Sequence, residues 1–157
     1  MPRTVEHQGP IYIRLGRGGD PVIPRAPSID GLPQVLRQGK NSLVFVATGT
    51  ATQVAMAAAE ITGARVVYVP VIKPLDENAL IDAIGKEPDA IATIEDHSII
   101  GGLGSAVAEV LAETYWRGWF ERFGYPDCFP EGYGTQDEMR ARYGLSADNI
   151  AEKMRHF

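Results

Sequence analysis

Glu95, Asp96 and His97 stand in a row at the end of a short apolar run, and Gly101, Gly102 and Gly104 follow close behind. A carboxylate pair beside an imidazole has the groups needed for general acid–base work. The trio also has donors for a metal ion. No second cluster of His, Cys or carboxylate supplies the missing ligands, so no metal site is expected. The glycine turn opens onto Leu103, Val107, Val110 and Leu111, spaced three and four apart as on a helix. Free backbone N–H groups at a helix start attract anions. The turn is neither a dinucleotide fingerprint nor a P-loop, since it has no G-x-G-x-x-G and no Gly-Lys-Ser/Thr. Close helix–sheet packing is the favoured account of such glycines, and a polar strand end can face a subunit interface. Glu95, His97, Gly101, Gly102 and Gly104 are therefore read as an interface or anion-binding group.

Arg14 and Arg17 flank Leu15-Gly16 at the end of a strand-like run. Arginine suits bidentate phosphate recognition, with a surface ion pair as the plainer alternative. Cys128 has no partner base nearby and reads as an inert loop residue. Tyr115, Trp116, Trp119 and Phe120 have the surface to stack on a ligand, or to form core or a buried protein interface. No nucleophile–base constellation emerges, so no catalytic residue is assigned.

The elements that must position these groups alternate. Pro10–Leu15 alternates like a strand, with Ile11, Ile13 and Leu15 on one face. Gly16–Gly39 then carries Pro21, Pro24, Pro27 and Pro33 among several glycines and reads as an extended linker. Ser42–Thr48 is a buried strand. Thr50 is the expected N-cap of an alanine-rich helix to Ile61 that turns Val54, Ala57, Ala58 and Ile61 to the sheet and stops at Gly63. Arg65–Val71 is a second strand, followed by a helix over Glu77–Ile84. Ala90–Ile94 is a third, expected to break at Glu95. A fourth strand is expected around Gly118–Phe123, then a Pro/Gly loop, a helix capped by Thr135 and a last helix from Ser146. Strand alternating with helix predicts an α/β fold of three layers, a mainly parallel open sheet with helices on both faces. In such sheets, ligands gather at the carboxyl ends of strands.

Composition sets outer bounds. The 157 residues are enough for one proper core, and 45% hydrophobic with 22% charged residues is ordinary for a globular chain. A net charge of −5 argues against nucleic acid as a partner. A single cysteine excludes an internal disulfide, and no apolar run approaches the roughly 20 residues that span a bilayer. With no signal-peptide pattern at Met1–Pro10, a cytoplasmic location is expected.

Three longer stretches resemble the C-terminal domain of transketolase and its thiamine-diphosphate relatives. They are VIKPLDENAL (71–80), IEDHSIIGGLGSAVAEVLAE (94–113) and FGYPDCFPEGYGTQDEMRARYGLSADNI (123–150), in the family's order. GPIYIRLGRG (9–18) is similar to the last strand of the family's preceding pyrimidine-binding domain. The resemblance implies three parts: residues 1–18 as that terminal strand, 19–40 as linker, and 41–157 as the C-terminal-type domain. It also implies that Arg17, and with it Arg14, helps hold the phosphate of a sugar phosphate.

Two departures accompany it. No Gly-Asp-Gly segment is present, and nearly all of the pyrimidine domain is missing, including its activating glutamate. The implied chain binds no cofactor alone and is inactive alone. It belongs to a split, oligomeric transketolase-like transferase whose other subunits hold thiamine diphosphate and magnesium and carry out two-carbon ketol transfer. The alternatives are the C-terminal domain of a 2-oxo-acid dehydrogenase E1 beta-type subunit and a non-catalytic interaction module.

Overall fold

Leu43, Val44, Phe45, Val46 and Ala47 are all buried, so the strand they form needs apolar cover on both faces. A computed structural model describes residues 5–13, 23 and 31–157 and supplies that cover. The strands are β1 (Gln34–Arg37), β2 (Leu43–Ala47), β3 (Arg65–Tyr68), β4 (Ala90–Ser98) and β5 (Trp119–Tyr125). The helices are α1 (Ala51–Thr62), α2 (Glu77–Ile84), α3 (Leu103–Glu113), α4 (Gln136–Arg142) and α5 (Ala147–Lys153). The sheet order is β1-β3-β2-β4-β5; β1 is antiparallel to β3 and all other pairs are parallel.

Side chains alternate across each strand and define two cores. Leu43, Phe45, Ala90, Ala92 and Ile94 pack with α1 and with Ile150 and Met154 from the α5 region. Val44, Val46, Val67 and Ile91 pack with Leu80 and Ile84 of α2 and with Leu103, Val107 and Leu111 of α3. The chain steps from β2 to β3 in one direction, then back across the sheet to β4 and β5. With crossovers of one hand, that reversal puts α1 on the opposite face from α2 and α3. The three-layer, mainly parallel α/β arrangement is thus the one the sequence implies.

Several local expectations change. The stretch assigned to the linker, 19–40, contributes β1, because Leu36 can bury itself beside β3 at the sheet edge. α1 turns Ala51, Ala55, Ala58 and Ala59 to the sheet rather than Ala57 and Ile61; Ile61 is 58% exposed. Small side chains let the helix axis come close, and that proximity outweighs the burial of larger residues. The second strand ends at Tyr68, short of Pro70. β4 does not break at Glu95: pairing resumes at Ser98 with Tyr125 after a register irregularity. Residues 10–13 belong to no strand of this sheet, and Ile11, Tyr12 and Ile13 are exposed. Leu15 lies outside the described residues, as do Arg14 and Arg17.

Phe45 is fully buried in the middle of the central strand. Phe45→Ala should cost roughly 3–5 kcal/mol, read as a loss of unfolding free energy in urea titrations.

Candidate functional site

Glu95 and Asp96 are neighbours in a strand, so the pleat throws them to opposite faces of the sheet. The chain reverses direction between β2 and β4, and both residues lie at the carboxyl end of β4, where open α/β sheets place ligands. Here each carboxylate finds a partner inside the chain.

On the α3 face, Glu95 is fully buried. Its Oε2 accepts from Leu103 N at 2.6 Å and its Oε1 from Gly104 N at 2.9 Å. Gly102, the N-cap of α3, offers no side chain to do this. The carboxylate therefore caps the helix from an adjacent strand and meets the positive end of its dipole. Two glycines make the approach feasible. A Cβ on Gly102 would land on His97 Cε1 and Glu95 Oε2, and one on Gly104 would lie 2.8 Å from Thr93 Oγ1 and 3.0 Å from Glu95 Oε1. His97 Nε2 lies 3.2 Å from Glu95 Oε2, and its Nδ1 donates to Ser98 O at 2.7 Å. Both ring nitrogens are thus engaged within the chain, although the side chain is 46% exposed.

On the α1 face, Asp96 Oδ2 accepts from Arg140 Nη2 at 2.7 Å, Gln136 Nε2 at 2.5 Å and Thr50 Oγ1 at 3.2 Å. Arg140 Nη2 also donates to Thr50 Oγ1 at 2.8 Å. Thr50 is the predicted N-cap of α1, but it makes no side-chain cap hydrogen bond and spends its hydroxyl on this cluster. Burial alone would raise the Asp96 carboxyl, but Arg140, Gln136 and Thr50 outweigh it and hold the group below its usual range. Burial likewise opposes the charge of Arg140, yet Asp96 and Asp137 carry the balance upward. The Tyr125 hydroxyl is raised by its own burial and then by the Asp96 charge. Tyr125 packs edge-on against Tyr143 at 5.3 Å and closes the flank. Arg140 and Gln136 are delivered by α4, whose start is fixed by a capping box between Thr135 and Glu138.

The structure brings Glu95, His97, Gly101, Gly102 and Gly104 into one cluster. Its geometry speaks against the anion-binding alternative: the amides of Leu103 and Gly104 already hold Glu95, and a free anion would have to displace a buried carboxylate. Glu95 and Asp96 also cannot act as a pair, since the sheet separates them. Sequence reasoning missed Thr50, Gln136 and Arg140 as partners of Asp96. They lie 46, 40 and 44 residues away, and no local signal links them. Arg14 and Arg17, read as phosphate ligands, lie outside the described residues. Among the described residues no group of three or more His, Cys, Asp or Glu is arranged to hold a metal ion, and no helix is long and apolar enough to cross a membrane.

The fold and this self-occupied strand end define an open, mainly parallel α/β domain of three layers. Residues 32–150 match the family model for the transketolase C-terminal domain, and the chain belongs to that family. A 1-deoxy-D-xylulose-5-phosphate synthase 2 of Geobacter sulfurreducens is 37% identical over 99% of this chain and 26% of its own length. A 6-deoxy-6-sulfo-D-fructose transketolase subunit of Clostridium sp. is 37% identical over 96% of this chain and 48% of its own. A solved structure described as a split gene transketolase, inactive beta4 tetramer, superposes with a TM-score of 0.81 at 37% identity. It covers 99% of this chain and 52% of that one. The chain thus spans between a quarter and a half of these relatives.

Two measurements test the site. Glu95→Gln places an NH2 against a backbone N–H, and should cost about 2 kcal/mol in thermal or chemical unfolding. For Asp96 the folded carboxyl ionises more readily than the unfolded one, near 3.9. Its contribution is therefore complete above that value and is lost as pH falls through the lower, folded value. Acid titration of unfolding should show this loss below about pH 4, and Asp96→Asn should flatten it while lowering stability at pH 7.

Proposed function

We propose that this chain is the C-terminal section of a split transketolase-like transferase, and that its work is assembly and closure of the substrate channel. Other subunits carry the diphosphate- and pyrimidine-binding domains, and the assembled enzyme moves two-carbon ketol units between sugar phosphates in the cytoplasm. The observation that carries the reading is the filled strand end: Glu95 and Asp96 occupy the positions that a ligand would take in an open α/β sheet. Family membership over residues 32–150 and the half-length match to a transketolase subunit point the same way.

The family implies thiamine diphosphate. The carboxyl end of β4 does not fit it: a diphosphate needs free amides or cations, and the α3 amides and Arg140 are already bonded to carboxylates. The cofactor and its magnesium are accordingly assigned to partner subunits, and no chemical step is assigned to this chain. The similar split-gene protein forms a beta4 tetramer, which supports self-association here as well. Arg17, with Arg14 beside it, is assigned to the phosphate of the sugar substrate in the assembled site.

The purified chain should show no ketol transfer from a ketose phosphate, and mixing with a subunit carrying the Gly-Asp-Gly segment should produce it. Turnover by the chain alone would overturn the reading. In the reconstituted enzyme, Arg17→Ala should raise KM for a phosphorylated acceptor about tenfold or more, the worth of a charged hydrogen bond, with kcat little changed. An unchanged KM would remove Arg17 from the site.

A further inference from the structure

Every residue from Pro126 to Glu138, between the end of β5 and the first turn of α4, is exposed. Two of them are large aromatics: Phe129 is 95% exposed and Tyr133 99%. The loop is nonetheless held in place. Arg142 Nη1 donates to Glu131 O, and Glu131 N donates to the Tyr143 hydroxyl at 3.0 Å. Cys128 N closes a tight turn onto Pro126 O at 2.8 Å, and the capping box between Thr135 and Glu138 fixes the far end. The segment is thus tied down through its backbone while its two rings stay in water. Aromatic side chains carry large apolar areas that folding ordinarily buries. A fixed loop that leaves two of them out within five residues marks a contact with something outside the chain.

Charge defines what that something is. From Pro126 to Glu138 the sequence has Asp127, Glu131, Asp137 and Glu138, and no Lys or Arg. Asp137 pairs with Arg140 at 3.4 Å and Glu138 is held by the capping box. Asp127 and Glu131 make no ion pair among the described residues, and Arg142, bonded to the loop's own backbone, offsets only part of the charge. A second copy of this surface would set like charge against like, which counts against it as the occupant. The complement is a partner surface with apolar sockets edged by Lys and Arg. Aromatic anchors then supply affinity, and opposite charge supplies orientation and encounter rate. The position is also fixed. α4, into which the loop runs, is bonded through Gln136 and Arg140 to Asp96, so the loop sits at the carboxyl end of the sheet.

We propose that the loop 126–138 docks the cofactor-bearing subunit, with Phe129 and Tyr133 as apolar anchors and Asp127 and Glu131 facing a basic patch on that subunit. The proposal rests on the reading of the chain as one part of a split enzyme and names the surface which that part presents. The test is calorimetric titration of the full chain with the subunit carrying the Gly-Asp-Gly segment, at about 50 and 500 mM salt, so that surface attraction is screened in one case and not the other. The wild type should bind more weakly at the higher salt. Phe129→Ser and Tyr133→Ser should each weaken binding about tenfold or more. Asp127→Asn combined with Glu131→Gln should weaken it at low salt and flatten the salt dependence. Glu87→Gln combined with Asp89→Asn, exposed acids at the amino end of the sheet, should bind as the wild type does. Thermal melts, expected at the wild-type temperature for these exposed positions, check the fold of each variant. Loop variants that bind as the wild type does overturn the proposal and leave the enzyme reading standing. So does a loss confined to self-association of the chain in sedimentation, which would make a second copy the occupant. A wild type that binds no such subunit overturns both.

Discussion

Two adjacent carboxylates at the end of β4 tie the domain together. Alternation along the strand sends Glu95 to one helical layer and Asp96 to the other, so a single dipeptide fastens both faces of the sheet. Glu95 satisfies two orphan N–H groups of α3. Asp96 holds Arg140 and Gln136 and thereby docks α4. Neither carboxylate would tolerate its surroundings unpaired. A buried carboxylate without donors costs several kcal/mol, and a buried guanidinium without its anion costs as much. The C-terminal helices and the glycine turn are consequently bound to the sheet by electrostatic need as well as by apolar burial.

The same pairing occupies the place where such a fold usually offers a ligand site. The helix dipole and the free amides that would attract a phosphate are present, but an internal anion has already claimed them. Gly102 and Gly104 serve the close approach of that anion rather than the approach of a ligand. A domain of the transketolase C-terminal family here keeps the α/β layout while its own carboxylates fill this strand end.

The two ends of the sheet are held differently. The carboxyl end is tied by charge pairs, whereas the amino end carries a cleft lined by apolar and charged side chains in which Trp116 Nε1 donates to Pro88 O. There the left-handed turn at Tyr115 is closed by Trp116 N donating to Leu111 O.

Much was legible in the sequence because it is local. β-branched runs gave the parallel strands, Thr135 and Ser146 gave helix starts through their own side chains, and Gly63 marked a helix end. The motif around Glu95 and the glycines was also legible, since all its members lie within ten residues. What the tertiary structure alone decided was the use of those residues. Whether Glu95 meets a ligand or a helix depends on how α3 sits over β4. The partnership of Asp96 with Thr50 and Arg140 depends on packing between segments more than forty residues apart. The close seat of α1 on its alanines, and the strand hidden in the proline-rich stretch, likewise follow from distances between layers. Periodicity reports which face of an element is apolar; it carries no information about which distant group that face will meet.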